Sequence, residues 1–126
     1  MPRALAPLAA RARRVRQLYA KLEKQRGGRP WTCAELAQGF VGDLGDLMKL
    51  LMAKEGVRAA ANLDARLRHE FGDCLWSLLV LADAYGVDLE NAFLQTMDEL
   101  EARIRAERAM AKPRTKTART IRARRG

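Results

Sequence analysis

Apolar positions recur along this chain at alternating spacings of three and four, the signature of one face of an α-helix. Leu5, Leu8, Ala12, Val15, Tyr19 and Leu22 form the first stripe and predict a helix over residues 3–25. Gly27-Gly28 ends it and Arg29-Pro30 turns the chain. Leu36, Phe40, Leu44, Leu47, Met48 and Leu51 predict the buried stripe of a second helix that stops at Gly56. Thr32 followed by Glu35 supplies its capping box, and Trp31 is placed to fold back onto the first turns. After a linker at 57–62, with Asn62 as N-cap, comes the most apolar helix, carrying Leu63, Leu67, Phe71, Cys74, Leu75, Leu78 and Leu79 and ending at Tyr85-Gly86. Asp88 caps a fourth helix with Leu89, Ala92, Phe93, Met97, Leu100 and Ile104 on one side, and Lys112-Pro113 closes it. Four helices joined by short turns predict an all-α, four-helix bundle.

Two acidic pairs interrupt this pattern. Asp43 and Asp46 fall in the middle of the second helix, and Glu70 and Asp73 in the middle of the third. Residues three apart on a helix share a face, so each pair projects together. The bland alternative is a solvated acidic face, but both pairs lie beside large apolar residues in the two helices best placed to be central. Unpartnered carboxylates there repel one another, and a hard divalent cation bound by the converging oxygens removes that repulsion. Gly42 and Gly45 flank the first pair at a cost of about 1 kcal/mol each relative to Ala, which suggests close approach of a backbone or a ligand. At about 100° per residue, Lys54 falls near the angle of Asp43, and Arg66 and Ser77 near that of Glu70. Cations beside a metal-bound anion suit phosphate chemistry. Trp31 and Trp76 are candidates to stack on a base, with stapling and core packing as their structural alternatives. His69 points away from Glu70 and reads as a surface residue.

Composition changes the picture in two ways. The chain has 126 residues, two cysteines and a formal charge of +9. Five of its 24 Lys and Arg lie in residues 1–16 and seven in residues 112–126, leaving twelve against fifteen acids, about −3, in the middle. The basicity belongs to the ends. The expected organisation is therefore an amphipathic helix and turn (1–29), a helical core (30–111) and a disordered basic tail (112–126). Cys33 and Cys74 fit no metal-ligand spacing and read as buried, reduced thiols of a cytoplasmic protein. The Arg- and Ala-rich opening also suits an organelle-targeting presequence. No apolar run approaches the roughly 20 residues of a membrane span.

With these residues in place, the chain resembles the MazG-like, all-α nucleoside triphosphate pyrophosphohydrolase family, which carries E-x-x-E on one helix and E-x-x-D on the next. Asp43-Leu44-Gly45-Asp46 resembles the first motif, and Glu70-Phe71-Gly72-Asp73-Cys74-Leu75-Trp76 the second. The stretch from Tyr85 to Phe93 is similar to the family's turn into its last helix, so the likeness covers roughly residues 30–104. The resemblance implies Mg²⁺, with Mn²⁺ as a substitute, held by Asp43, Asp46, Glu70 and Asp73. It implies cleavage of a nucleotide between its α- and β-phosphates, with Asp43 or Glu70 doubling as base, and assembly as a homodimer or homotetramer. Three departures stand out: Asp for Glu at both positions of the first motif, Gly42 where the family commonly has a further Glu, and Thr96 and Leu100 where it often has Lys and Asn. Lys54, Arg66 and Trp31 are the candidates to take over substrate contacts. The competing readings are a catalytically degenerate relative acting as a regulatory partner, and a helical module drawn to nucleic acid through its basic tail.

Overall fold

A computed structural model describes residues 4–113, so most of the expected disordered tail, residues 114–126, lies outside the described residues. The described chain forms α1 (Ala6–Gln25), α2 (Cys33–Lys54), α3 (Leu63–Ala84) and α4 (Leu89–Met110), with no strand among the described residues. The all-α expectation holds. None of the described helices is long and apolar enough to cross a membrane.

Local chemistry fixes most boundaries. The capping box of α2 forms as read: Thr32 Oγ1 accepts from the Glu35 amide at 3.2 Å, and Glu35 Oε1 accepts from the Thr32 amide at 3.0 Å. Arg29 Nη1 adds a 2.6 Å ion pair to the same Oε1, tying the α1–α2 connection to the helix it enters. At the other end Gly56 takes φ +78°, and Gly86 does the same for α3 at φ +68°. In that left-handed turn the next amide reaches back to the last carbonyls, Val57 to Met52 and Val87 to Ala82. Asp88 caps α4 by accepting from the Asn91 amide at 3.1 Å.

Two boundary expectations fail. The first helix begins at Ala6 rather than residue 3, and the Ala4 and Leu5 amides before it donate to Glu90 Oε1, at 2.6 and 3.3 Å. Asn62 precedes α3 but makes no side-chain cap, since its left-handed backbone (φ 50°, ψ 42°) turns the amide group away from the first helical N–H groups. Only its carbonyl enters the helix, accepting from the Arg66 amide at 3.0 Å.

Helix α3 is the centre of the first of two units, which part between Ala92 and Phe93 within α4. It packs against α2 and against α1. Asp43 meets Ser77 on α3 and Asp46 gathers with Glu70, so α2 and α3 run antiparallel. Arg13 bonds Asp83 and Tyr19 meets Trp76, so α1 is antiparallel to α3 as well. The α1–α2 connection must therefore return along the bundle. Ala12, Leu36, Leu79 and Val80 form the core, with Trp76 and Leu89 packed against it, and Leu47 and Leu50 are buried on α2. The Trp76 indole N–H donates to the Ala12 carbonyl at 3.2 Å.

The core is narrower than the apolar pattern suggests. Leu44, Met48 and Leu51, expected in the buried stripe of α2, are exposed, as are Phe71, Leu75 and Leu78 on α3. Cys33 and Cys74 are free thiols but only half-buried. The second unit is the remainder of α4, whose helix buries none of its residues. It carries Gln95–Glu99, Glu101–Arg105 and Arg103–Glu107 contacts at 3.3, 3.5 and 3.9 Å, pairs worth about 0.2–0.5 kcal/mol each.

Thr32→Ala removes one half of the capping box and should lower stability to urea by about 1 kcal/mol. The Arg29 guanidinium first, and the Thr32 amide second, hold the Glu35 carboxyl down to about 2 from an ordinary 4.5. A carboxyl lowered in the folded state stabilises above its unfolded pKa and loses that contribution as pH falls through the folded one. Denaturation midpoints followed from pH 5 to pH 2 should therefore fall less steeply in Glu35→Gln than in the parent.

Candidate metal centre

The α2–α3 contact brings the two acidic pairs together. Asp43, Asp46 and Glu70 each offer a carboxylate oxygen, and these lie within 4.8 Å of one another. Glu70 belongs to a second such group with Asp73 and His69, whose Nε2 is 3.0 Å from Asp73 Oδ2. His69, read as a surface residue, is exposed yet reaches the site's edge. Ser77 is buried and donates from Oγ to Asp43 Oδ2 at 3.3 Å, which fixes the shorter Asp side chain toward α3.

Glu70 is where the physics is least comfortable. Its Oε2 is buried with no hydrogen-bond partner among the described residues. Burial raises its pKa, and the charges of Asp73, Asp46 and Asp43 raise it further, against a small opposing effect of His69. The Cys74 thiol is pushed up by burial and by Asp43, Glu70 and Asp73 as well. A buried acceptor without a donor costs about 1–3 kcal/mol, and surrounding it with carboxylates adds to that. Oxygen donors on both helices, one of them orphaned, fit a hard divalent cation.

Two cavities adjoin these carboxylates. The larger, about 470 Å³, lies between α1 and the α2–α3 pair. Tyr19, Trp31, Trp76 and Leu36 give it apolar walls, and Asp43, Asp73 and Ser77 line it as well. Tyr19 and Trp76 meet edge to face with centroids 5.7 Å apart. Trp31 lies over Gly39, where an added Cβ would sit 3.3 Å from the indole. Trp76 thus packs against the core and lines the cavity at once. The smaller cavity, about 210 Å³, is lined by Lys49, Arg58 and Arg66 together with Asp46 and Glu70.

The remaining sequence candidates divide. Arg66 and Trp31 each line a cavity that shares carboxylates with the cluster. Lys54 instead pairs with Asp64 at 2.9 Å, at the start of α3. The close approach suggested at Gly42 and Gly45 does not occur, since a Cβ at either would meet nothing within 4 Å. Sequence reasoning missed Arg16, Tyr19 and Glu23 as cavity residues. Their spacing of three and four places them on one face of α1, the signal available in advance. It also missed Lys49, one turn beyond Asp46, and Arg58 in the linker.

No protein-family model matches the chain, and neither a curated protein nor a solved structure matches it.

Glu70→Gln removes a buried charge from among like charges, so the metal-free variant should melt above the metal-free parent. The same change should weaken Mn²⁺ binding, read by calorimetry, by more than about tenfold, because even outer-sphere changes at metal sites cost about 10- to 100-fold. Equal Mn²⁺ affinity in parent and variant would remove Glu70 from the site.

Proposed function

We propose that the protein is a Mg²⁺-dependent nucleotide pyrophosphohydrolase of the MazG-like kind, cleaving nucleoside triphosphates to a monophosphate and pyrophosphate. The observation that carries this reading is the convergence of Asp43, Asp46 and Glu70 around an orphaned Glu70 oxygen, beside an aromatic-walled cavity. A cavity of about 470 Å³ is within the range of small-molecule sites, and aromatic faces suit a flat base.

In this reading Asp43, Asp46 and Glu70 hold the cation, with Asp73 completing the group. When bound, Mg²⁺ would neutralise the carboxylates, polarise phosphate oxygens and lower the pKa of a water. Ser77 holds Asp43 in position. Trp31 and Trp76 orient the base. Water adds its oxygen to the α-phosphorus, and the bridging oxygen leaves with pyrophosphate. Asp43 and Glu70 are the two candidate bases to accept the water's proton.

Self-association belongs to the same proposal. On α3 the residues facing α1 (Trp76, Asp83), those facing α2 (Glu70, Ser77) and the exposed Phe71, Leu75 and Leu78 lie about a third of a turn apart. Leu44, Met48 and Leu51 lie on the matching flank of α2, so the six form one uncharged face of the α2–α3 hairpin, away from α1. These side chains are 37–58% exposed, and a contiguous apolar face marks an interaction surface. A second copy would cover it.

The reading is tested by pyrophosphate release from ribo-, deoxy- and oxidised nucleoside triphosphates with Mg²⁺. Asp73→Ala should abolish release, and Trp31→Ala should raise KM about tenfold or more, given the 1–3 kcal/mol of a base stacked on an aromatic ring. Metal binding without turnover of any nucleotide would replace it with the non-catalytic alternative. Leu75→Asp should lower the sedimenting mass to that of one chain.

A further inference from the structure

The two cavities differ in the charge they offer, and the carboxylates stand between them. The larger has aromatic walls and shares Asp43 and Asp73 with the cluster, whereas the smaller carries three cations and shares Asp46 and Glu70. Those cations are largely uncommitted. Arg58 makes no hydrogen bond or ion pair among the described residues. Lys49 has only a 4.0 Å pair with Asp46, and Arg66 only a 3.5 Å contact with the Ala61 carbonyl. Uncommitted surface arginines are common. What sets these apart is that they line one concavity together with the exposed Asp46 and with Glu70, whose Oε2 is buried.

We propose that the smaller cavity receives the departing pyrophosphate, with Arg58, Lys49 and Arg66 as its binding residues. This rests on the pyrophosphohydrolase reading and gives the substrate a direction through the site. The base enters the aromatic cavity, the α-phosphate lies at the carboxylates, and the β- and γ-phosphates extend toward the turn between α2 and α3. As the bond from the α-phosphorus to the bridging oxygen breaks, its electron pair stays on that oxygen and the leaving pyrophosphate gains charge. Guanidinium groups receive that charge through paired N–H donors, so they stabilise the transition state more than bound substrate. Arg58 comes from the 57–62 linker and Lys49 from α2, so this anion site is built without any residue of α4. That is where the chain has Thr96 and Leu100. Selection for triphosphates over monophosphates follows from the same three cations.

The test uses the full chain with Mg²⁺ and inorganic pyrophosphate as probe, by calorimetry, beside turnover of whichever triphosphate the parent cleaves. Arg58→Ala and Lys49→Ala should each weaken pyrophosphate binding about tenfold, the loss of roughly one charge-assisted contact. Arg58→Lys should restore part of it. In Arg58→Ala, Mn²⁺ affinity and melting temperature should not move, and kcat should fall more than KM rises. Unchanged pyrophosphate affinity and unchanged kcat, in variants of a parent that still cleaves triphosphates, would overturn the inference and leave the hydrolase reading standing. Arg58-dependent pyrophosphate binding by a parent that cleaves no nucleotide would do the reverse, keeping the anion site and removing the reaction.

Discussion

A buried carboxyl oxygen with no donor among the described residues is the constraint on which the rest of the site depends. Glu70 lies on the helix that contacts both of its neighbours, and packing α2 against α3 drives its Oε2 out of water among three other acids. Apolar burial supplies the driving force: Leu36, Leu47 and Leu50 on α2 and Leu79 and Val80 on α3 are almost fully enclosed, each contributing roughly 1.5–3 kcal/mol. That is enough to hold one unsatisfied oxygen. It does not make the oxygen comfortable, and a fold selected for stability alone would replace it. Such a group is the kind of cost that functional sites carry more often than cores do.

Helix α1 turns that electrostatic fault into a place where a molecule could sit. Because α1 runs antiparallel to α3, it lies alongside α2 in the same direction, and residues 26–32 must come back along the bundle. That return brings Pro30 and Trp31 to the cavity wall. It is pinned where it ends, by the Arg29–Glu35 ion pair and the Thr32 cap. The local chemistry that starts α2 thereby also positions one of the cavity's exposed aromatic rings. Trp76 is held from the other side, by the Ala12 carbonyl and the edge of Tyr19. Helix-capping and cavity-building are one set of contacts.

Much of this was legible in the sequence because it is local. Thr32, Glu35, Gly56, Gly86 and Asp88 act within one turn of themselves, and each does what its residue type dictates. Asn62 shows the limit: its identity suits a cap, but its backbone dihedrals, set by the linker, decide whether the side chain reaches. The apolar periods located the helices yet overstated the core. Leu44 and Leu75 obey the same spacing as Leu36 and Leu79, and only the placement of three helices tells which side of each is covered. Lys54 failed for a related reason. Helical angle placed it with Asp43, but Asp64 lay nearer along the turn and captured it. Arg58 carries no period at all, and a linker residue becomes a cavity residue only once the turn is folded.

The departures from the acidic motif make sense together once side-chain lengths are considered. An Asp reaches about 1.5 Å less far than a Glu, so a cluster built on Asp43 and Asp46 needs α2 held close to α3. The Ser77 hydroxyl, buried and bonded to Asp43, is small enough to permit that approach and polar enough to aim the acid. Gly42 and Gly45 then take on a different meaning from the one their cost first suggested. Nothing packs against either, so they do not admit a neighbouring helix. At about 100° per residue both point well away from the direction of Asp43, so the space they leave lies off the acidic face, at a helical cost of about 1 kcal/mol each. Asp43 is held toward α3 by Ser77 while Asp46 stays exposed, so the acidic group opens to solvent on the Asp46 side. Lys49, Arg58 and Arg66 line the cavity on that same side with Asp46 and Glu70, so cationic and anionic groups share one concavity there.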